Sequence, residues 1–311
     1  MALPYLSLEL PKSYQDLPYE HIRVSHVPAS SPTPTPVVLV TLYRPGKNNA
    51  FTGTMTYEMD NAWKLFAADD RVKVIVVTGH GGKIFCAGAD LEIGFQYGTD
   101  TPKTHRDGGG IVAMAIHRCP KPTIAAINGS AVGIGITMTL PMSIRIVSNK
   151  AKIGFVFARR GLVMEAASGY FLPRLIGYSK ATHLVTTGAV YPSTSPLFSD
   201  LFSEVLEPEA VVPRALELAD EIAKNTSTVS VAMNKALIWN GPDNAADSQL
   251  LTSQVIRELF TSKDKQEGVT SFMEKRQANF TGVLSKDAPS NYPWWSEVDA
   301  DPKDDFGKSK L

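Results

Sequence analysis

The sequence has little that would tie it to nucleic acid, to a membrane or to a disulfide framework. Its 31 basic residues are matched by 31 acidic ones over 311 positions, so no net field draws it to a polyanion or to anionic lipid. Any anionic ligand must be held locally. Only two cysteines occur, Cys86 and Cys119. With no secretory leader in the opening "MALPYLSLELPKSYQDLPYE", they predict free thiols in a reducing compartment and no catalytic use. The histidines show no metal-ligand spacing, so no metal is expected. The uncharged run between Lys121 and Arg145 is interrupted by Asn128, Ser130, glycines and Pro141. It reads as a buried strand, a glycine turn and a buried helix, not as a membrane span. Familiar catalytic signatures are missing as well. "GHGGK" lacks the spacing and the following Ser or Thr of a P-loop, "GIGITM" lacks the third glycine of a dinucleotide fingerprint, and neither HExxH nor GxSxG occurs.

What is present is a large apolar fraction, 43%, enough for a sizeable core. "EHIRVSHV" (20–27) and "VVLVTLYR" (37–44) predict a hairpin whose tip, "PASSPTPTP", is too rich in proline to join a ladder. Met55, Met59, Ala62, Trp63 and Phe66 recur at helical spacing and read as core packing. "VKVIVVTG" (72–79) is a β-branched run of the kind buried on both faces, and "PTIAAING" (122–129) repeats it. "SIRIVSN" and "AKIGFVF" predict further short strands. From about residue 209 the pattern turns helical. The fold class is α/β with a helical C-terminal region, and the pattern alone leaves open whether the sheet is doubly wound or a spiral.

Two glycine-bearing turns follow the two buried strands: "GHGGKIFCAGADLEIG" (79–94) and "INGSAVGIGITM" (127–138). Backbone N–H groups at such places are free to face a ligand, and Gly88, Gly133 and Gly135 allow a close approach. Two N–H donors aimed at one carbonyl oxygen would form an oxyanion hole. Taken from the residues alone, Asp90 and Glu92 read as capping or solvent-facing, and Arg159 and Arg160 as a solvated pair. Glu165 stands as a lone acid in the apolar stretch "GFVFARRGLVMEAASGYFLPRLIG" (154–177). It is either the first-turn acid of a helix or a proton carrier whose pKa is raised by Phe155, Phe157, Val163 and Met164.

"VKVIVVTG", "IFCAGADL", "AAINGSAVGIGI" and "EGVTSFMEKRQANFTG", in this order over residues 20–281, resemble the enoyl-CoA hydratase/isomerase (crotonase) superfamily. The resemblance implies a spiral of ββα units with acyl-CoA bound at its core (20–208), preceded by an N-terminal extension (1–19). A helical trimerisation region (209–285) and a tail (286–311) would follow, with homotrimers or homohexamers as the assembly. It implies that the N–H groups of Ala89 and Ile134 hold the thioester oxygen. Ala87, Gly88, Asp90 and Leu91 would line the path of the CoA moiety beside Gly133. Lys47 and Ala50 of "KNNAF" would lie near CoA, and Lys275 would meet its phosphates across a subunit boundary. No cofactor is expected beyond the coenzyme A that the substrate carries.

Hydratases of the family use two glutamates, and the matching positions here are Thr137 and Phe157, neither of which is an acid or base at neutral pH. The segment around Glu165 instead resembles peroxisomal 3-enoyl to 2-enoyl-CoA isomerases, in which the matching glutamate is the base. The first expectation is therefore an enoyl-CoA isomerase working through Glu165. Its rivals are a hydratase or dehydratase of a specialised acyl-CoA, in fatty-acid oxidation or secondary metabolism, and a non-catalytic CoA-binding scaffold. The last three residues, Ser309, Lys310 and Leu311, form a peroxisomal address and predict an import receptor as partner.

Overall fold

The computed structural model describes residues 8–94 and 100–301. The chain enters a hairpin of β1 (Ile22–His26) and β2 (Val37–Leu42), crosses α1 (Gly53–Ala68), and then repeats one motif three times. In the first copy β3 (Val74–Gly79) and β4 (Ile84–Cys86) lead to α2 (Gly108–Arg118). In the second, β5 (Thr123–Ile127) and β6 (Ser130–Val132) lead to α3 (Ile134–Thr137), and in the third, β7 (Ile144–Ser148) and β8 (Lys152–Gly154) lead to α4 (Ser168–Thr187). The first strand of each copy joins a sheet ordered β1-β2-β3-β5-β7-β10, and the second joins a sheet ordered β4-β6-β8-β9. Here β9 is Val190–Pro192 and β10 is Glu204–Leu206. Pairs between successive copies are parallel. This is a spiral of ββα units, and it closes the choice that the sequence pattern left open.

The continuous apolar run in β3 is explained by its two covered faces. Ile75 and Val77 enter the main core with Met55, Met59, Trp63 and Phe66 of α1. Val74 and Val76 point the other way, against α5 (Pro208–Asn225). Val211, Ala215, Ala219 and Ala223 recur every four residues along α5, and the small side chains let the helix lie close on the sheet. The packed core therefore runs to Asn225, past the boundary expected near residue 208. The strand expected over "AKIGFVF" is shorter than its apolar run, because after Gly154 the backbone coils into a single 3-10 turn, Phe157–Arg160.

Beyond α5 come α6 (Thr228–Asn240), α7 (Ala245–Leu259), α8 (Lys263–Glu274) and α9 (Leu284–Asp287), of which α6, α7 and α9 pack around Val229, Met233 and Val255. The segment from Ala288 to Asp301 is not a loose tail. Tyr292, Trp294 and Trp295 stack edge to face, Trp294 Nε1 donates to the Asn240 carbonyl at 2.8 Å, and Asp301 pairs with Arg118 at 2.7 Å. Burial of the aromatic rings holds this stretch on α2 and α6. The Ser309–Leu311 tripeptide lies outside the described residues. None of the described helices is long and apolar enough to cross a membrane.

Candidate active site

The first glycine turn follows β4. At Gly88, φ is +92°, a region closed to residues with a Cβ, and this turns the Ala89 N–H off the strand line. The turn is clamped to the loop 44–51: Ala87 N donates to Asn48 O, Phe51 N to Gly88 O and Asp90 N to Phe51 O, all between 2.8 and 3.1 Å. Asn48 and Asn49 take left-handed backbone angles, which asparagine tolerates, and Asn49 Nδ2 ties the loop to the carbonyls of His80 and Ile84. "KNNAF" and "CAGADL" therefore form one surface, with Ala50 buried and Ala87, Leu91 and Lys47 open to solvent.

Asp90 neither caps a helix nor faces solvent. It is buried and its carboxylate meets Arg44 at 2.7 Å, a contact that holds its pKa below the usual carboxylate range. Its role here is to lock the two loops together. Lys47 pairs with Glu92 at 2.6 Å on the open surface. Lys275 ends α8 and makes no contact with either glycine turn among the described residues.

The second turn follows β6. Gly133 has φ +55° and starts α3 at Ile134. The two turns touch: a Cβ on Gly133 would lie 3.8 Å from Gly88 Cα, and one on Gly88 would lie 3.1 Å from the Val132 carbonyl. Neither Ala89 N–H nor Ile134 N–H donates to a protein acceptor among the described residues. This pair is available to an outside oxygen. Gly135 serves packing instead, since a Cβ there would strike the Cys86 carbonyl at 2.4 Å.

Glu165 is not in the first turn of a helix. It precedes α4, and the two residues between, Ala166 and Ala167, have φ of +55° and +52°, each costing about 1–2 kcal/mol in the left-handed region. Ser168 donates its N–H and its hydroxyl to the Glu165 carbonyl. This strained link turns the carboxylate inward, where Oε1 accepts from Thr137 Oγ1 at 2.5 Å. Oε2 lies over the start of α2, 1.7 Å from where a Cβ on Gly109 would be, and Ile134 Cδ1 lies 2.6 Å from the same point. The Glu165 carboxylate, the Ile134 turn and α2 thus converge at a glycine. Loss of water around the carboxyl, opposed by the Thr137 hydroxyl and reinforced by the Asp107 carboxylate, pushes the Glu165 pKa up to about 8. Val163, expected to help enclose it, is 85% exposed and shields nothing.

Sequence reasoning passed over three residues here. Thr137 is no base, but it is fully buried and serves as the hydrogen-bond partner of the Glu165 carboxylate. Its hydroxyl also lies 3.2 Å from the Gly133 carbonyl, so it can donate to ionised Glu165 or accept from the protonated form while donating to Gly133. Asp107 and Gly109 sit in "DGGG", where three glycines in a helical segment cost about 1 kcal/mol each relative to alanine. That cost was the available signal. Of the remaining candidates, Cys86 and Cys119 are buried free thiols. Burial pushes Cys86 up to about 12, so it has no nucleophilic form at neutral pH.

Residues 33–283 match the family model for enoyl-CoA hydratase/isomerase. The chain is similar to the enoyl-CoA hydratase ACTT3 of Alternaria alternata, 47% identical over 273 residues, 88% of this chain and 90% of that one. It is also similar to the 1,2-epoxyphenylacetyl-CoA isomerase of Escherichia coli, 30% identical over 79% of this chain and 95% of that one. Among solved structures, a putative enoyl-CoA hydratase from Streptomyces coelicolor aligns with a TM-score of 0.77 and 28% identity, over 90% of this chain and 99% of that one.

Proposed function

The chain belongs to the enoyl-CoA hydratase/isomerase family, and from that premise we propose that it shifts the double bond of a 3-enoyl-CoA to the 2-position, with Glu165 carrying the proton. The observation that supports this reading is the Glu165 carboxylate itself, backed by Thr137 at 2.5 Å, while the two positions at which the family's hydratases keep acids are Thr137 and Phe157. Ionised Glu165 takes a proton from C2. The electron pair moves into a dienolate whose negative oxygen accepts from the N–H groups of Ala89 and Ile134. The protonated carboxyl then returns a proton to C4, and the double bond settles between C2 and C3. No water is added and nothing is oxidised. The raised pKa suits both halves of this cycle, since a carboxyl near neutrality both takes and gives a proton readily.

Hydration of a 2-enoyl-CoA is the second reading. It is favoured by the names of relatives at 46–47% identity, which are called enoyl-CoA hydratases and which support this reading better than the first. In that reaction Glu165 would activate water for attack at C3. The two reactions separate in one assay: purified protein and its Glu165→Gln variant receive trans-3-hexenoyl-CoA and trans-2-hexenoyl-CoA. Conjugation is followed by absorbance and products by mass. Gain of conjugation from the 3-enoyl substrate without gain of mass, lost in Glu165→Gln, supports isomerisation. A gain of one water by the 2-enoyl substrate replaces it with hydration, and no change in either substrate rejects both.

The same reading places the enzyme in the peroxisome through Ser309–Leu311, and it places Lys275 against the CoA phosphates of a neighbouring subunit in a homotrimer or hexamer. Ile238, Phe272 and Met273, each more than 70% exposed on α6 and α8, support association of copies through the helical region.

A further inference from the structure

The reaction proposed above uses one carboxylate, yet a second sits beside it. Asp107 is the N-cap of α2. Its Oδ1 accepts from Gly110 N at 2.6 Å and from Ala166 N, the residue after Glu165, at 3.3 Å. One carboxylate oxygen therefore pins the start of α2 and the strained Ala166 link at once. The Asp107 carboxylate thus stands beside the residue that follows Glu165, and its charge raises the Glu165 pKa. Gly109, two residues after Asp107, has no Cβ, and only this leaves room for Glu165 Oε2.

We propose that Asp107 is the positioning residue of Glu165, a carboxylate that accepts a hydrogen bond from protonated Glu165 and keeps the proton in the site between its removal from C2 and its return to C4. The Asp107 carboxylate opposes ionisation of Glu165, which therefore keeps its proton more readily than it would without that neighbour. The proton is then shared between two oxygens inside the site and is not lost to bulk water. Asp107 touches no reacting atom. The other groups facing Glu165 do not compete for this role: Thr137 is neutral, and the Cys86 thiol, which also feels the Glu165 charge, stays protonated. This inference deepens the reading of Glu165 as proton carrier and rests on it.

The test is a titration of Glu165 that needs no turnover. Protein labelled with carbon-13 at the glutamate side-chain carboxyls is followed by NMR across pH 5–9 at roughly half-unit steps, the Glu165 signal being the one absent from Glu165→Gln. Asp107→Asn keeps an oxygen for Gly110 N–H and removes the charge; Asp107→Ser keeps a cap and removes the carboxyl. Both should lower the Glu165 midpoint by about one unit or more, the desolvation cost remaining. In turnover, the acid limb of the pH profile should move by the same amount. A cap alone would lower the melting temperature and leave the midpoint in place. A midpoint within about 0.2 unit of the wild type in both variants, with the fold intact by circular dichroism, overturns the proposal. If the midpoint moves while neither hexenoyl-CoA is turned over, the carboxyl pair stands and the assigned reaction falls. The reverse pattern removes the pair and keeps the reaction.

Discussion

Replacing Glu165 by glutamine should stabilise the protein, increasingly so as the pH rises. The folded state holds the Glu165 proton up to about pH 8, against 4.5 for an ordinary glutamate. The native chain therefore binds more protons than the unfolded one between those values. Stability linked to this group is complete below pH 4.5 and is lost as pH climbs to 8. The whole interval corresponds to at most about 5 kcal/mol at 1.36 kcal/mol per unit. The useful window is narrower. Below pH 6.5, His117 and His21, whose pKa values are lowered by burial, begin to cost stability. Above 8, neutralisation of Lys121 and Lys235, also lowered by burial, adds stability instead. Between pH 6.5 and 8.0 the wild type should lose about 2 kcal/mol relative to Glu165→Gln. Urea unfolding at both pH values and one protein concentration measures this, as a difference of midpoints between the two proteins. Parallel pH dependences would show that Glu165 is not held protonated by the fold, and the argument for its proton-carrying role would fail with it.

Thr137→Val removes the hydrogen bond that opposes the rise in Glu165 pKa. The acid limb of the pH–rate profile should move to higher pH, and the rate at pH 7 should drop about tenfold for each unit moved. Gly88→Ala places a Cβ 3.1 Å from the Val132 carbonyl at φ +92°, so the Ala89 N–H should swing away and kcat should fall about 100- to 1,000-fold, as for loss of one oxyanion donor. Gly109→Ala should abolish turnover, because its Cβ would occupy the space of Glu165 Oε2 and lie 2.6 Å from Ile134 Cδ1; the overpacking, about 1–3 kcal/mol, should outweigh the gain of up to about 1 kcal/mol in helix propensity, so the melting temperature should fall as well. Removing Ser309–Leu311 should send a fluorescent fusion from peroxisomes to the cytosol without changing turnover in vitro.

Much of the site could be read from the sequence wherever chemistry leaves a local mark. The buried strands announced themselves by β-branched runs, the two touching turns of the candidate site by glycines at strand ends, and Glu165 by standing alone in apolar surroundings. What escaped was the set of partners that the spiral brings together across the chain. Thr137 was judged only for its own acidity, and nothing in "GIGITM" says that a carboxylate 28 residues later will lie on its hydroxyl. Asp107 caps α2, and nothing local to it says that it will also hold the N–H of Ala166, 59 residues later. Asp90 read as a surface acid because Arg44, its ion-pair partner, lies 46 residues away. The ordered strap from Ala288 to Asp301 was hidden by its charge, since the aromatic residues that bind it to α6 count for little in a polar stretch. Local pattern identifies strands, turns and lone acids; it does not identify pairs formed by the third dimension.

Transfer of one proton from C2 to C4 by a single carboxylate is tested most directly with trans-3-hexenoyl-CoA carrying deuterium at C2, turned over in ordinary water, with deuterium located in the product by NMR. Because the Glu165 carboxyl is part-buried and keeps its proton near neutrality, part of the label should appear at C4 of the 2-enoyl product within a single turnover. A product in which C4 carries only solvent hydrogen, or one in which water has added at C3, would contradict the single-base mechanism.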